Sequence, residues 1–210
     1  MIYAVQNYHY SKTRPAGAIF GYNVFNKKNE WCGVIMYGRG GCSTMGDAYN
    51  LKHGQIIELV RMALNGKQES TSKALSISLK LIKKDCPTVK MIVSYADKGQ
   101  NHIGTIYQAT NWYYVGQTKS SGYEYWYKGK WTHSKTISNA KKQKGLRVNL
   151  LKKRKVSGKI KYLYPIDKKM LNKLNVISKE YPKKLCDNGV IRSTLSYQDK
   201  GEGAVPILSL

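Results

Sequence analysis

Acid is what this chain has least of: 12 Asp and Glu stand against 36 Lys and Arg, leaving a formal net charge of +24 over 210 residues. Self-repulsion of that size is best tolerated against a polyanion, which makes nucleic acid the first candidate partner. The deficit is also local. No acidic residue falls between Glu124 and Asp167, whereas Lys141, Lys142, Lys144, Arg147, Lys152, Lys153, Arg154, Lys155, Lys159 and Lys161 all do. Cysteine is sparse as well, and Cys32, Cys42, Cys86 and Cys186 are too far apart for paired metal ligands, so they read as buried free thiols. Long apolar runs are missing: the first stretch is broken by His9, Lys12, Arg14 and Pro15, which argues against a signal peptide or a membrane span and points to the cytoplasm. His9, His53, His102 and His133 show no ligand spacing. Gly38-Arg39-Gly40-Gly41 lacks the continuation of a P-loop and reads as a turn.

What remains is an ordinary apolar fraction of 41%, enough for one domain with a substantial core and a small appended region. Ile19 to Phe25 and Trp31 to Tyr37 flank the polar turn Asn26-Lys27-Lys28-Asn29 and predict a hairpin. Ile56 to Leu64 is an interior strand interrupted by Glu58 and Arg61, and an arginine there needs a partner such as Glu58 or Asp97, or a ligand. Ser70 to Lys84 carries a helical apolar stripe with Ser70, Thr71 or Ser72 as its cap. With the apolar run Val89 to Val93 this makes a strand-helix-strand crossover, whose loop amides from Gly66 to Ser72 can receive an anion. Tyr162 to Ile166 predicts a further strand, Met170 to Ile177 a helix, and the end of the chain, 186–210, a loosely held tail. Tyr123, Tyr125, Trp126, Tyr127 and Trp131 precede the Lys-rich segment 128–169, which is either a solvated face, a disordered arm or a nucleic-acid grip with stacking aromatics.

The densest stretch is Lys90 to Gly116. Its buried strand stops at Ser94-Tyr95-Ala96-Asp97, which puts Tyr95 and Asp97 at a strand's carboxyl end, where α/β sheets hold ligands. Gln100 or Asn101 then caps a helix carrying Ile103, Ile106, Tyr107 and Thr110, before Trp112 to Val115 resumes an extended pattern. Asp97 is either a turn aspartate or a general base, and His102, Tyr107 and Trp112 are either core or the wall of a base pocket.

The SYAD tetrapeptide at 94–97, His102, Gly104 and the IYQATNW heptapeptide at 106–112 resemble the phage Mom proteins, which modify adenine in DNA. The likeness extends through Glu58-Leu59-Val60-Arg61, Ser70-Thr71-Ser72, Tyr162 to Pro165 and Tyr181 to Lys184, roughly nine-tenths of the chain; the segment after Cys186 lies outside the likeness. The resemblance implies a single catalytic domain over 1–185 with an α/β (α+β) fold like that of GNAT acyltransferases, a mixed central sheet with flanking helices. The glycine-rich pyrophosphate loop of such enzymes is here replaced by Gly66 to Ser72. It implies Asp97, Tyr10, Arg61 and Ser72 as catalytic, Arg61, Ser70 and Ser72 as donor-binding, and Tyr95, His102, Tyr107 and Trp112 as substrate-binding. It also brings in His9 as an assistant or a metal ligand, iron having been suggested for the family. The Lys141, Lys142, Arg147, Lys152, Lys153, Arg154 and Lys155 group would hold DNA.

The same resemblance implies N6-carbamoylmethyladenine as product, in phage or prophage DNA protected from host restriction endonucleases. That product is a constitutional isomer of glycyl-adenine, so an activated glycine such as glycyl-tRNA supplies every atom, whereas acetyl-CoA does not. A conventional acyltransferase acting on a protein or small amine, and a basic DNA-binding protein without activity, are the alternatives.

Overall fold

The computed structural model describes residues 1–13, 15, 17–100, 102–119 and 122–183. Asn101, Cys186 and the tail 186–210 lie outside them. The chain divides into Met1–Lys179 and Glu180–Leu210, the second described only over 180–183, where the backbone carries no regular structure.

The first unit is built on a six-stranded mixed sheet. Its strands are β1 (Ala18–Phe25), β2 (Trp31–Gly38), β3 (Ile56–Leu64), β4 (Met91–Ala96), β5 (Tyr113–Gln117) and, later in the chain, β9 (Ile160–Pro165), in the order β1-β2-β3-β4-β9-β5. The predicted hairpin is β1 and β2, antiparallel. The crossover helix α2 (Thr71–Asp85) joins β3 to β4, which pair in parallel, and Ser70 caps it by accepting from the Lys73 N–H at 3.2 Å. The parallel pairing covers only Ile56–Glu58 against Met91–Val93, although both strands continue. Beyond it the two strands are joined through Ser94, whose hydroxyl donates to the Leu59 carbonyl at 3.0 Å and lies 2.8 Å from Tyr107 Oη.

Alternation along the strands fixes the two faces. Ile35 and Tyr37 look toward α2, where Tyr37 Oη and Ser78 Oγ share a hydrogen bond at 2.6 Å, while Val34 and Met36 pack on α1 (Ile2–Tyr8) with Ala4, Val5 and Ala63. On β4, Met91 and Val93 join Tyr49, Leu163, Met170 and Leu174 under the 3-10 turn Ser43–Tyr49 and α5 (Leu171–Ile177). One irregularity matters for the site. Met36 pairs with Arg61 and Tyr37 with Leu59, so β3 carries an extra residue at Val60, a bulge that brings Glu58 and Arg61 onto the same face despite their spacing of three.

Three expectations need correction. The helix after Asp97 is a single turn, α3 (Thr105–Gln108), preceded by Gly104 at φ +85 rather than capped by Gln100. A Cβ on Gly104 would collide with the Tyr162 ring, so this close approach also requires glycine. The described cysteines are free, but only Cys32 is buried, with Cys42 exposed and Cys86 between. The basic segment is no arm: β6 (Tyr123–Tyr127), β7 (Lys130–His133) and β8 (Lys153–Lys155) form a second sheet in the order β7-β6-β8, flanked by α4 (Ser134–Lys144).

Candidate functional site

Chain segments far apart in sequence meet at the carboxyl end of β4. The turn after α1 delivers His9, Tyr10 and Ser11, the bulged strand β3 delivers Arg61, and the turn after β4 delivers Asp97 and His102. Arg61 Nη1 lies 3.0 Å from His9 Nδ1 and also bonds Ser11 Oγ, and the Ser11 N–H donates to His9 Nδ1 at 3.1 Å. Arg61 makes no ion pair among the described residues, so the expected salt bridge to Glu58 or Asp97 is absent. Its partners are instead supplied by a segment some fifty residues earlier. Its Nε is buried without a hydrogen-bond partner among the described residues, a donor left available where a ligand would arrive.

Tyr10 packs on His9 with ring centroids 4.3 Å apart and planes tilted by 33°, and meets His102 edge-on at 6.2 Å. Burial and the nearby Asp97 charge raise the Tyr10 hydroxyl above its ordinary value, so it remains a proton donor. Asp97 accepts the Gly99 N–H on Oδ1 at 2.9 Å, the bond of an aspartate turn. Oδ2 has no hydrogen-bond partner among the described residues. Turn residue and proton acceptor are therefore compatible roles, one for each oxygen. Glu58, on the same face as Arg61, has its pKa raised by burial, against the pull of Lys159 and the Gly41 N–H. Tyr95 is pushed up to about 12, by burial first and then by Glu58. Sequence reasoning offers Glu58 only as a partner for Arg61, although its isolation in an apolar strand is the signal for more.

His9 is held down to about 4 by burial and by the Arg61 and His102 charges, against an ordinary 6.5. The unfolded chain therefore takes up this proton first, and the stability His9 confers above about pH 6.5 is lost as the pH falls toward 4. Thermal melts across that window should show a steeper loss for the wild type than for His9→Gln. Parallel curves would mean that the His9 environment does not report on folding.

Other expected residues are elsewhere. Trp112 is fully buried and Tyr107 is 8% exposed. Their rings pack on Tyr164 and Tyr162 at 5.5 and 5.1 Å, so they are core beneath the site and not the wall of a base pocket. Ser70 and Ser72 bond each other at 2.9 Å at the start of α2, and Ser70 lines a cleft between β1 and α2 with Tyr22 and Lys27, apart from Arg61. In the basic appendage Lys141, Lys142, Arg147, Lys152, Lys153 and Lys155 are exposed or nearly so. Arg154 is already engaged, bonding Glu124 Oε2 through Nε and Nη2 at 2.9 and 2.7 Å and lying 4.5 Å over the Trp131 ring. Trp126 is 44% and Tyr123 42% exposed, which leaves ring faces for stacking.

These features define a mixed α/β protein with a polar site at the open end of its main sheet and a basic, aromatic second sheet. The chain belongs to the Mom protein family, whose model matches residues 1–183. It is similar to the protein named methylcarbamoylase mom of Escherichia phage Mu, 29% identical over 180 residues that cover 81% of this chain and 73% of that protein. No helix among the described residues is long and apolar enough to cross a membrane. The iron implied for the family does not fit these residues: no three His, Cys, Asp or Glu side chains gather among those described, and His9 Nδ1 faces the Arg61 cation.

Proposed function

We propose that this chain modifies adenine in phage DNA, converting it to N6-carbamoylmethyladenine, which would shield that DNA from host restriction endonucleases. The observation that carries the reading is the convergence of Asp97, Arg61, Tyr10 and His9 at one strand end in a chain of the Mom family. Adenine N6 is a weak nucleophile, and Asp97 Oδ2, without a hydrogen-bond partner among the described residues, is placed to take its proton as N6 attacks the carbonyl of an activated glycine and the donor's ester oxygen leaves. That step gives N6-glycyladenine, and attack of the glycyl amine on C6 with cleavage of the C6–N6 bond converts it, without gain or loss of atoms, to N6-carbamoylmethyladenine, the former N6 becoming the carboxamide nitrogen. The unpartnered Arg61 Nε, with the guanidinium braced by His9 and Ser11, is suited to hold the oxyanion that forms. The protonated Tyr10 hydroxyl can return a proton to the departing oxygen. In a duplex the amine is paired, so the base is flipped or taken single-stranded, with the second sheet and α4 gripping the backbone.

The short parallel pairing between β3 and β4 supports a GNAT-like scaffold, and with it the runner-up reading of a coenzyme A-dependent acyltransferase. Two features weigh against coenzyme A as donor. The loop before α2 carries the carboxylate of Glu69, bound to the Lys27 N–H at 2.6 Å, where a pyrophosphate would need positive charge. The gap between the strands is bridged internally by Ser94 and Tyr107. An activated glycine such as glycyl-tRNA, whose glycyl group has the atoms of the product, is the donor these features favour.

Purified protein given single-stranded DNA and either glycyl-tRNA or acetyl-CoA, followed by nucleoside mass spectrometry, tests the reading. The expected result is an adenine adduct with glycyl-tRNA alone. An adduct with acetyl-CoA alone would overturn the donor assignment, and DNA unmodified in cells making folded protein would overturn the enzyme.

A further inference from the structure

A second cavity, of roughly 460 Å³, opens on the α5 face of the sheet between β9, β5 and α5. It falls within the size range of small-ligand sites. Its lining includes Tyr49, Gly116, Gln117, Thr118, Lys161 and Lys173, and no carboxylate. The two lysines converge on one tyrosine: Lys161 Nζ donates to Tyr49 Oη at 2.8 Å and lies 5.1 Å over its ring, and Lys173 Nζ donates to the Tyr49 carbonyl at 2.9 Å. Two more ammonium groups reach the rim. Lys98 Nζ is 3.4 Å from Gln117 Oε1, and Lys179 Nζ is 3.4 Å from where a Cβ on Gly116 would stand. None of these four takes part in either ion pair found among the described residues. Four cations around one concavity without a counter-charge repel each other unless an anion enters.

The backbone beside the cavity is irregular. Tyr114 pairs with Tyr162 and Gly116 with Lys161, so β5 bulges at Val115, and Gly116 sits at φ +108. Gly116 is buried at this bulge, with the Lys179 side chain within 4.0 Å of where a Cβ would stand, so the glycine lets that ammonium group close on the strand. Lys161 also pairs with Tyr95 across β4, and Tyr95 precedes Asp97 by two residues, or about 6.6 Å of strand at about 3.3 Å per residue. The cavity is therefore a neighbour of the candidate site on the same sheet, not a remote patch.

We propose that this cavity is a nucleotide-phosphate site, with Lys161 and Lys173 as the phosphate-binding cations and Tyr49 as their anchor, holding the strand that presents its end or its flipped base to Asp97. The assignment rests on the nucleic-acid reading above. Phosphate is the shared chemistry of the two strands that reading brings together, a DNA substrate and the 3′ end of an RNA donor.

The test uses fluorescence anisotropy of the full chain with a labelled single-stranded DNA and, separately, a labelled RNA ending in CCA, each across a salt series. Lys161→Gln with Lys173→Gln should weaken binding at least tenfold at low salt for one or both probes. It should also reduce the slope of log affinity against log salt by about 1.4, because each phosphate neutralised on a single strand adds about 0.7 to that slope. Which probe responds identifies the strand. Lys83→Gln with Lys84→Gln, at the far end of α2, removes the same charge and should leave the slope within about 0.5 of wild type. Lys173→Gln alone, on the first turn of α5, should show about half the slope change and keeps the test valid if the double variant does not fold. Equal weakening by the Lys83/Lys84 pair, or wild-type binding by the Lys161/Lys173 pair, would overturn the site while leaving nucleic-acid binding standing. Failure of the wild type to bind either probe would overturn both.

Discussion

Asp97→Asn should reduce the adenine adduct recovered from cells expressing the protein by about two to four orders of magnitude, the usual contribution of a positioned general base. The substitution is informative because it separates the two roles that the carboxylate combines. Asparagine retains an oxygen for the Gly99 N–H, which Asp97 Oδ1 accepts at 2.9 Å, so the turn after β4 and the placement of His102, whose N–H donates to the Asp97 carbonyl at 3.2 Å, survive. What it lacks is the second anionic oxygen. If Asp97 is only a turn residue, Asp97→Asn is nearly silent, and an adduct level near wild type would remove it from the chemistry. Asp97→Ala is the less useful variant, because it also deletes the turn bond and confounds loss of activity with loss of local order.

The regular parts of this fold are legible in the sequence because they follow from local pattern. Ile56 to Leu64 is bounded by turn residues and emerges as β3 with those bounds, and the Ser70 cap is where the helical stripe demands it. The candidate site is legible in part: Asp97 and Arg61 stand out along the chain and Tyr10 enters only through the family resemblance, but their mutual geometry depends on events that alternation does not encode. A single extra residue at Val60 turns Glu58 and Arg61 to one face. The His9-Tyr10-Ser11 turn reaches Arg61 only because Ala4 and Val5 bury α1 against Val34 and Ala63. Trp112 and Tyr107 are ambiguous for a physical reason, since an aromatic under a site and one lining it have the same sequence pattern. The second sheet, by contrast, carries a readable local signal. Lys128-Gly129 links Tyr127 to Lys130 as a two-residue hairpin loop with both residues at positive φ, between runs of Tyr and Trp.

Arg61→Lys should lower activity by about two to three orders of magnitude, as for loss of one oxyanion-hole donor, while leaving the melting temperature unchanged or higher. Both halves follow from the same atoms. The buried Nε has no partner among the described residues, and a buried unsatisfied donor costs on the order of 1–3 kcal/mol in the free protein. Burial also lowers the Arg61 pKa, so the fold bears a cost for keeping this cation in place. Lysine preserves the charge but not the planar fork, and its single head group cannot brace against His9 Nδ1 and Ser11 while aiming a second donor at a substrate oxygen. A residue kept for stability would behave in the opposite way, with Arg61→Lys losing melting temperature and retaining turnover. Measuring both quantities on one preparation therefore decides whether the arginine in this strand serves the fold or the reaction. The unpartnered Nε favours the reaction, because a structural arginine would have recruited Glu58, on the same face, as its counter-ion.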